Sequence, residues 1–169
     1  GAVVTNNSYL AERVRMYANY GSKEKYKHVI QGVNSRLDEI QAAVLLLKLK
    51  KLDEDNQHRR HIAHIYKSNI KNPFVVLPQY ADEDSVYHIF PVLVDNRKKF
   101  QTYLIEKGIE TLCHYPIPVH KQKSFSFYNS LTFKESENIA NQEVSLPISP
   151  VLTDDEAMYI SQMINNYND

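Results

Sequence analysis

The chain has 169 residues, 43% of them hydrophobic and 24% charged, with a formal net charge of zero. That length can bury a core, while the balanced charge excludes a global field drawing the chain to nucleic acid or anionic membrane, and no apolar run approaches the roughly 20 residues of a bilayer span. One cysteine excludes an internal disulfide, and the four glycines fall in neither G-x-G-x-x-G nor Walker spacing.

The opening GAVVTNNSYL lacks the basic start and long apolar stretch of a signal peptide. A cytoplasmic chain without membrane or nucleic-acid partners is the expectation. GAVVT itself is a β-branched run that reads as a buried strand, and its position at residue 1 suggests a chain cut from something larger. A helix is predicted over 8–19, with Leu10, Val14 and Tyr17 on one face and Gly21 as its stop. Residues 20–33 read as a polar loop. Ser35 and Asp38 fit a capping box that opens a long helix, LDEIQAAVLLLKLKKLDEDNQHRRHIAHIYKSNI. Its stretch 42–47 is apolar all round, which predicts burial on more than one side. Its polar middle, 50–60, predicts a bend or a crossing through solvent. KNPF ends it, because Pro73 pushes Asn72 out of helical geometry.

The remainder reads as a compact α+β unit. SVYHIFPVLV (85–94) is a strand in which Pro91 marks an edge or a bulge. Asp95 caps a helix over 96–107 that Gly108 closes. IETLCHY is a second strand. Thr132 with Glu135 caps another helix, EVSLPIS is extended, and Thr153 with Glu156 caps the last helix.

Three clusters invite chemistry. HRRHIAH spaces His58, His61 and His64 three apart, and steps of three drift around a helix, so the three cannot meet one ion. They read as a solvated basic face, and no metal site is expected. Cys113 and His114 are neighbours on a strand and point to opposite faces, so they cannot pair as nucleophile and base. Cys113 reads as structural. His114 lies at a strand end before YPIP, and two readings stay open: a functional loop residue, or a histidine bonded within its own turn. Asn34, Ser35 and Arg36 precede a helix, where N–H groups and dipole favour anions. Anion contact and plain capping both remain open there.

NYGS, NSRLDEIQAAVLLLKLKKLDE, VYHIFPVLV, KGIETLCHYPIPVH and SLPISPVLTDDEA occur in this order over essentially the whole chain. Together they closely resemble the C-terminal half of the DegT/DnrJ/EryC1/StrS family, pyridoxal phosphate (PLP)-dependent sugar aminotransferases of fold type I. The resemblance implies an α+β chain from an α/β parent. Residues 1–50 would be the tail of the large PLP-binding domain and the start of the connecting helix, and 51–169 the small domain. It implies transfer of an amino group from a glutamate-like donor to a nucleotide-linked keto-sugar by a homodimer. The lysine that binds PLP would lie before GAVVT, so no catalytic residue and no covalently held PLP are expected in this chain. By the same resemblance Asn34 would reach the partner subunit's PLP phosphate. Arg36 would lie near the donor carboxylate, and His114, with Tyr115 and His120 nearby, would face the sugar. A non-catalytic binding, dimerisation or sensor module of the same family is the alternative.

Overall fold

The computed structural model describes residues 1–81 and 84–168. They divide into two compact units, 1–50 and 51–169.

In the first unit, helix α1 spans Ser8–Ala18, and the Asn7 side chain accepts from the Leu10 N–H as its N-cap. Gly21 ends it at φ +74°, donating to the Met16 carbonyl. A Cβ on Gly21 would sit 1.6 Å from the Ile30 carbonyl oxygen, so only glycine fits. The predicted loop contains a small antiparallel ribbon, β1 (Ser22–Glu24) with β2 (Lys27–His28). The chain then returns along the end of α1. Val33 and Ser35 N–H groups donate to the Tyr17 and Ala18 carbonyls at 2.8 Å each, satisfying acceptors that the helix end leaves open.

Three expectations fail in this unit. Residues 1–5 form no strand, and Val4 is 95% exposed, because no strand among the described residues pairs with them. Helix α2 is Glu39–Leu49, and its N-cap is Asp38, without a side-chain bond. The Ser35 capping box does not form, because the Ser35 N–H is already used by α1. No residue of α2 is buried, and Ile40 is 82% exposed, since nothing in this unit covers it.

The second unit opens on α3 (Leu52–Asn69), so the long predicted helix is interrupted at Lys50 and Lys51. Past α3, Asn72 is buried and donates to the Ile164 and Tyr167 carbonyls, while its Oδ1 accepts from the Phe74 N–H. Strand β3 is shorter than predicted, Phe90–Leu93, and pairs antiparallel with β4 (Glu143–Leu146). Tyr87, at φ +47°, lies just before β3 with its ring buried in the core. Leu93 exchanges both backbone bonds with Val76. By alternation the Pro91 nitrogen faces that same side, where the bridge has ended. Pro91 therefore sits at an open edge. The second predicted strand reduces to one bridge, Leu112 to Ser145, on the far side of β4.

Helix α4 (Arg97–Glu106) is capped by Asn96, not Asp95, and Gly108 closes it at φ +75°. Helix α5 (Lys134–Gln142) carries no side-chain cap, so the Thr132–Glu135 box is absent. Helix α6 (Asp154–Asn165) keeps its predicted box in full: Thr153 and Glu156 bond each other's backbone. The Thr153 N–H and hydroxyl together hold the Glu156 carboxyl below its ordinary range.

The core lies where α3, α4 and α6 meet one sheet face, around Ile62, Tyr66, Phe90, Phe100, Leu104 and Ile164. Strand alternation assigns Phe90, Val92, Val144 and Leu146 to that face. Tyr66 is fully buried and keeps its hydroxyl paired with the Pro147 carbonyl at 2.7 Å; burial pushes its phenol well above the ordinary value.

Replacing Thr153 by Ala is expected to cost about 1 kcal/mol in urea denaturation at neutral pH. The Glu156 carboxyl is depressed on folding, so its share of stability is complete above its unfolded value and lost as pH falls through the folded one. The gap between wild type and Thr153→Ala should therefore narrow when the same melt is run at about pH 3, by the share the hydroxyl–carboxylate bond carries; an unchanged gap would show that this bond adds nothing.

Candidate functional site

Strand β4 carries two faces. Val144 and Leu146 enter the core, and Glu143 and Ser145 point the other way yet are still buried, Glu143 to 2% exposure. The Leu112–Ser145 bridge sets an antiparallel register that brings His114 opposite Glu143. There the Glu143 carboxylate replaces a backbone rung: Oε2 accepts from the His114 N–H at 2.6 Å. Its other oxygen, Oε1, accepts from the Ser145 hydroxyl at 2.5 Å, and Ser145 Oγ lies 2.8 Å from His114 Nδ1. His114 is thus held through both its main chain and its ring.

His114 lines a cleft of about 310 Å³ together with His88, Glu110, Leu112, Ser145 and Ile148. Its Nε2 has no hydrogen-bond partner among the described residues, and the ring is half-buried. Tyr115 is exposed, and its ring meets His114 edge-on at 5.4 Å. His120 belongs to a separate cluster. It is 7% exposed, its Nε2 lies 2.9 Å from Glu137 Oε1, and Phe133 packs edge-on against it at 4.9 Å. The contact with His120, with help from the Phe133 N–H, lowers the Glu137 carboxyl below its ordinary value. Only Nδ1 of His120 is left for another ligand.

In the first unit, Asn34 sits in a one-residue bridge to Asn19, and its Oδ1 accepts from Arg36 Nε at 3.2 Å. The Arg36 guanidinium lies 5.9 Å from the Tyr20 ring centre. Because α2 starts only at Glu39, neither residue is at a helix N-terminus. The helix-dipole argument for an anion falls away. What remains is an exposed pair of donors, the Asn34 amide and the Arg36 terminal N–H groups, whose chemistry fits a phosphate or a carboxylate.

Of the α3 histidines, His61 and His64 are exposed, as a solvated face requires, while His58 is half-buried. His58 Nε2 lies 2.7 Å from the Leu152 carbonyl, and His61 Nε2 lies 2.9 Å from both Asp154 oxygens. His58 and His61 thus tie α3 to the start of α6. Among the described residues, no three His, Cys, Asp or Glu side chains group as metal ligands. Nor is any described helix long and apolar enough to cross a membrane.

A profile of the DegT/DnrJ/EryC1/StrS aminotransferase family matches residues 1–165. The chain belongs to this family. It is 51% identical over 168 residues to the dTDP-3-amino-3,6-dideoxy-alpha-D-galactopyranose transaminase of Aneurinibacillus thermoaerophilus, a match covering 99% of this chain and 46% of that protein. The crystal structure of S. venezuelae DesV superposes with a TM-score of 0.86 at 39% identity, over 96% of this chain and 45% of DesV. Bacillus subtilis NtdA with its bound cofactor PMP gives 0.85 at 30% identity, over 96% and 40%. The chain therefore spans under half the length of these relatives. Its α+β architecture is that of the matched portion of fold-type I sugar aminotransferases.

Glu143, Ser145 and His88 did not emerge from the sequence as site residues. A signal was present: an acid and a serine alternate with Val144 and Leu146 in EVSL, which places two polar side chains on one strand face. Cys113, by contrast, is a structural thiol, as its place beside His114 suggested. Arg97 donates to its sulfur at 3.1 Å, but burial and the nearby Glu143 push the thiol up to about 11. It is protonated at neutral pH and a poor nucleophile. Alkylation by iodoacetamide should be slow at pH 7 and rise until about pH 11, tracked by intact mass; fast modification at neutral pH would contradict this environment.

Proposed function

We propose that this chain is the C-terminal part of a PLP-dependent aminotransferase that moves an amino group from a glutamate-like donor to a nucleotide-linked keto-sugar. Residues 1–50 belong, in this reading, to the large domain and the start of the connecting helix, and residues 51–169 form the small domain. The supporting observation is the 51% identity, over nearly the whole chain, to a dTDP-sugar transaminase. The His114 cleft agrees with it, since it offers polar groups suited to a hydroxylated ligand.

PLP, when bound, supplies the electron sink for amino transfer. The residues of this chain bind and orient. The Asn34 amide reaches the cofactor phosphate of the partner subunit in a cytoplasmic homodimer. The Arg36 guanidinium pairs with the donor carboxylate, as its planar fork favours. His114 contacts the sugar, Tyr115 extends the same wall, and His120 stiffens the loop between them and can offer Nδ1. No lysine of this chain carries the cofactor. The exposed apolar residues of α2, among them Ile40, Leu46 and Leu47, suit a helix covered by other parts of the assembly.

Three measurements test this. The enzyme containing this chain should aminate a dTDP-linked 3-keto-6-deoxyhexose with glutamate as donor, seen as an amino-sugar product by mass spectrometry. His114→Ala should lower kcat/KM by about tenfold or more, the loss of one hydrogen bond to the substrate. The 169-residue chain alone, mixed with PLP and reduced with borohydride, should carry no adduct at a single lysine. Such an adduct would place the cofactor lysine within these residues and overturn the assignment.

A further inference from the structure

The chain of contacts behind His114 has a direction. Ser145 has one hydroxyl proton, and the 2.5 Å contact to Glu143 Oε1 uses it. At its second contact, 2.8 Å from His114 Nδ1, Ser145 Oγ can only accept. The proton there must be on the ring. Glu143 fixes this direction because its carboxylate is acceptor-only and meets two donors, the Ser145 hydroxyl and the His114 main-chain N–H. All three groups lie in the second unit, on β4 and on the segment paired with it.

We propose that Glu143 and Ser145 are positioning residues that hold neutral His114 with its proton on Nδ1, so that Nε2 presents a bare lone pair to the cleft. That lone pair accepts from a hydroxyl or an amine and repels a keto oxygen or a phosphate, which bring only lone pairs. His114 therefore reads a hydroxyl of the bound sugar, or its newly made amine, and not the carbonyl being aminated. The identity of the ligand as a sugar rests on the aminotransferase reading above; the tautomer does not.

The same geometry makes a reversal possible. In Glu143→Gln the amide oxygen must stay toward the His114 N–H, because an amide nitrogen cannot accept that bond. The amide N–H group then faces Ser145 Oγ and donates to it. Ser145 is freed to donate to Nδ1, and the ring proton moves to Nε2. A role limited to filling space would not invert the ring.

The test is long-range proton–nitrogen correlation NMR on the 15N-labelled 169-residue chain at about pH 8, above the ordinary imidazole value of about 6.5. His114→Gln identifies its signals among the seven histidines. The wild type should show a protonated Nδ1 and a bare Nε2. Glu143→Gln should show the opposite tautomer, Ser145→Ala a loss of the preference, and Ser145→Thr, which keeps the hydroxyl, the wild-type pattern. A wild-type ring protonated on Nε2, or a Glu143→Gln ring unchanged from wild type, overturns the proposal. If Glu143→Gln does not fold, the wild type with Ser145→Ala and Ser145→Thr decides the matter. The measurement needs neither cofactor nor sugar. Failed amination with the expected tautomer would sink the proposed function alone, and amination with the wrong tautomer would sink this inference alone.

Discussion

Everything about the His114 cleft depends on the alternation of one four-residue strand. β4 is buried on both faces. Val144 and Leu146 meet the rings and aliphatic side chains gathered by α3, α4 and α6. The opposite face puts a carboxylate and a hydroxyl under the segment that carries His114. The period of two allows no drift, so the packing of the core and the aim of the polar pair are set together. A slip of one residue would send Glu143 into the hydrophobic cluster, where an unpaired charge is not tolerated. The register is therefore specified twice, once by hydrophobic burial and once by the bonds Glu143 makes.

Local signals in the sequence were readable where the structure is local. The Thr153–Glu156 box formed because both partners lie within one turn and compete with nothing else. Gly21 and Gly108 end helices in left-handed geometry, as glycine allows. The Ser35 box has the same pattern and did not form, because the Ser35 N–H meets the Ala18 carbonyl, a contact between segments that no local window contains. The predicted strand over 109–115 shrank to one bridge for a related reason. At His114 the paired group is a side-chain carboxylate, so the ladder continues chemically without continuing as backbone.

The candidate site divides along the same line. His114 was legible from its position at a strand end and from the family resemblance. Glu143 and Ser145 lie about thirty residues away in sequence, and only the pairing of β4 with the His114 segment joins them to it. The three histidines of α3 show the converse. Their helical spacing argues against a shared ion, but it says nothing about the Leu152 carbonyl or Asp154, which arrive from the far end of the chain.

Two reactive-looking neighbours, Cys113 and His114, end up with opposite characters although Glu143 acts on both, raising the thiol and engaging the imidazole through Ser145. The thiol is turned into a partly buried place where its ionised form is disfavoured, despite the Arg97 guanidinium at 3.1 Å. The imidazole is turned toward a cleft, with its inner nitrogen engaged and its outer one open. A buried carboxylate is the natural group to enforce that polarity. It cannot donate, so any hydroxyl placed between it and a neutral imidazole must point toward the acid. A neutral amide at the same position, its oxygen held by the His114 N–H, would reverse it. The charge of Glu143 thus matters less for its field than for its inability to give up a proton it does not hold. That makes a strand position with no access to the cleft's ligand the one that decides what the cleft can accept.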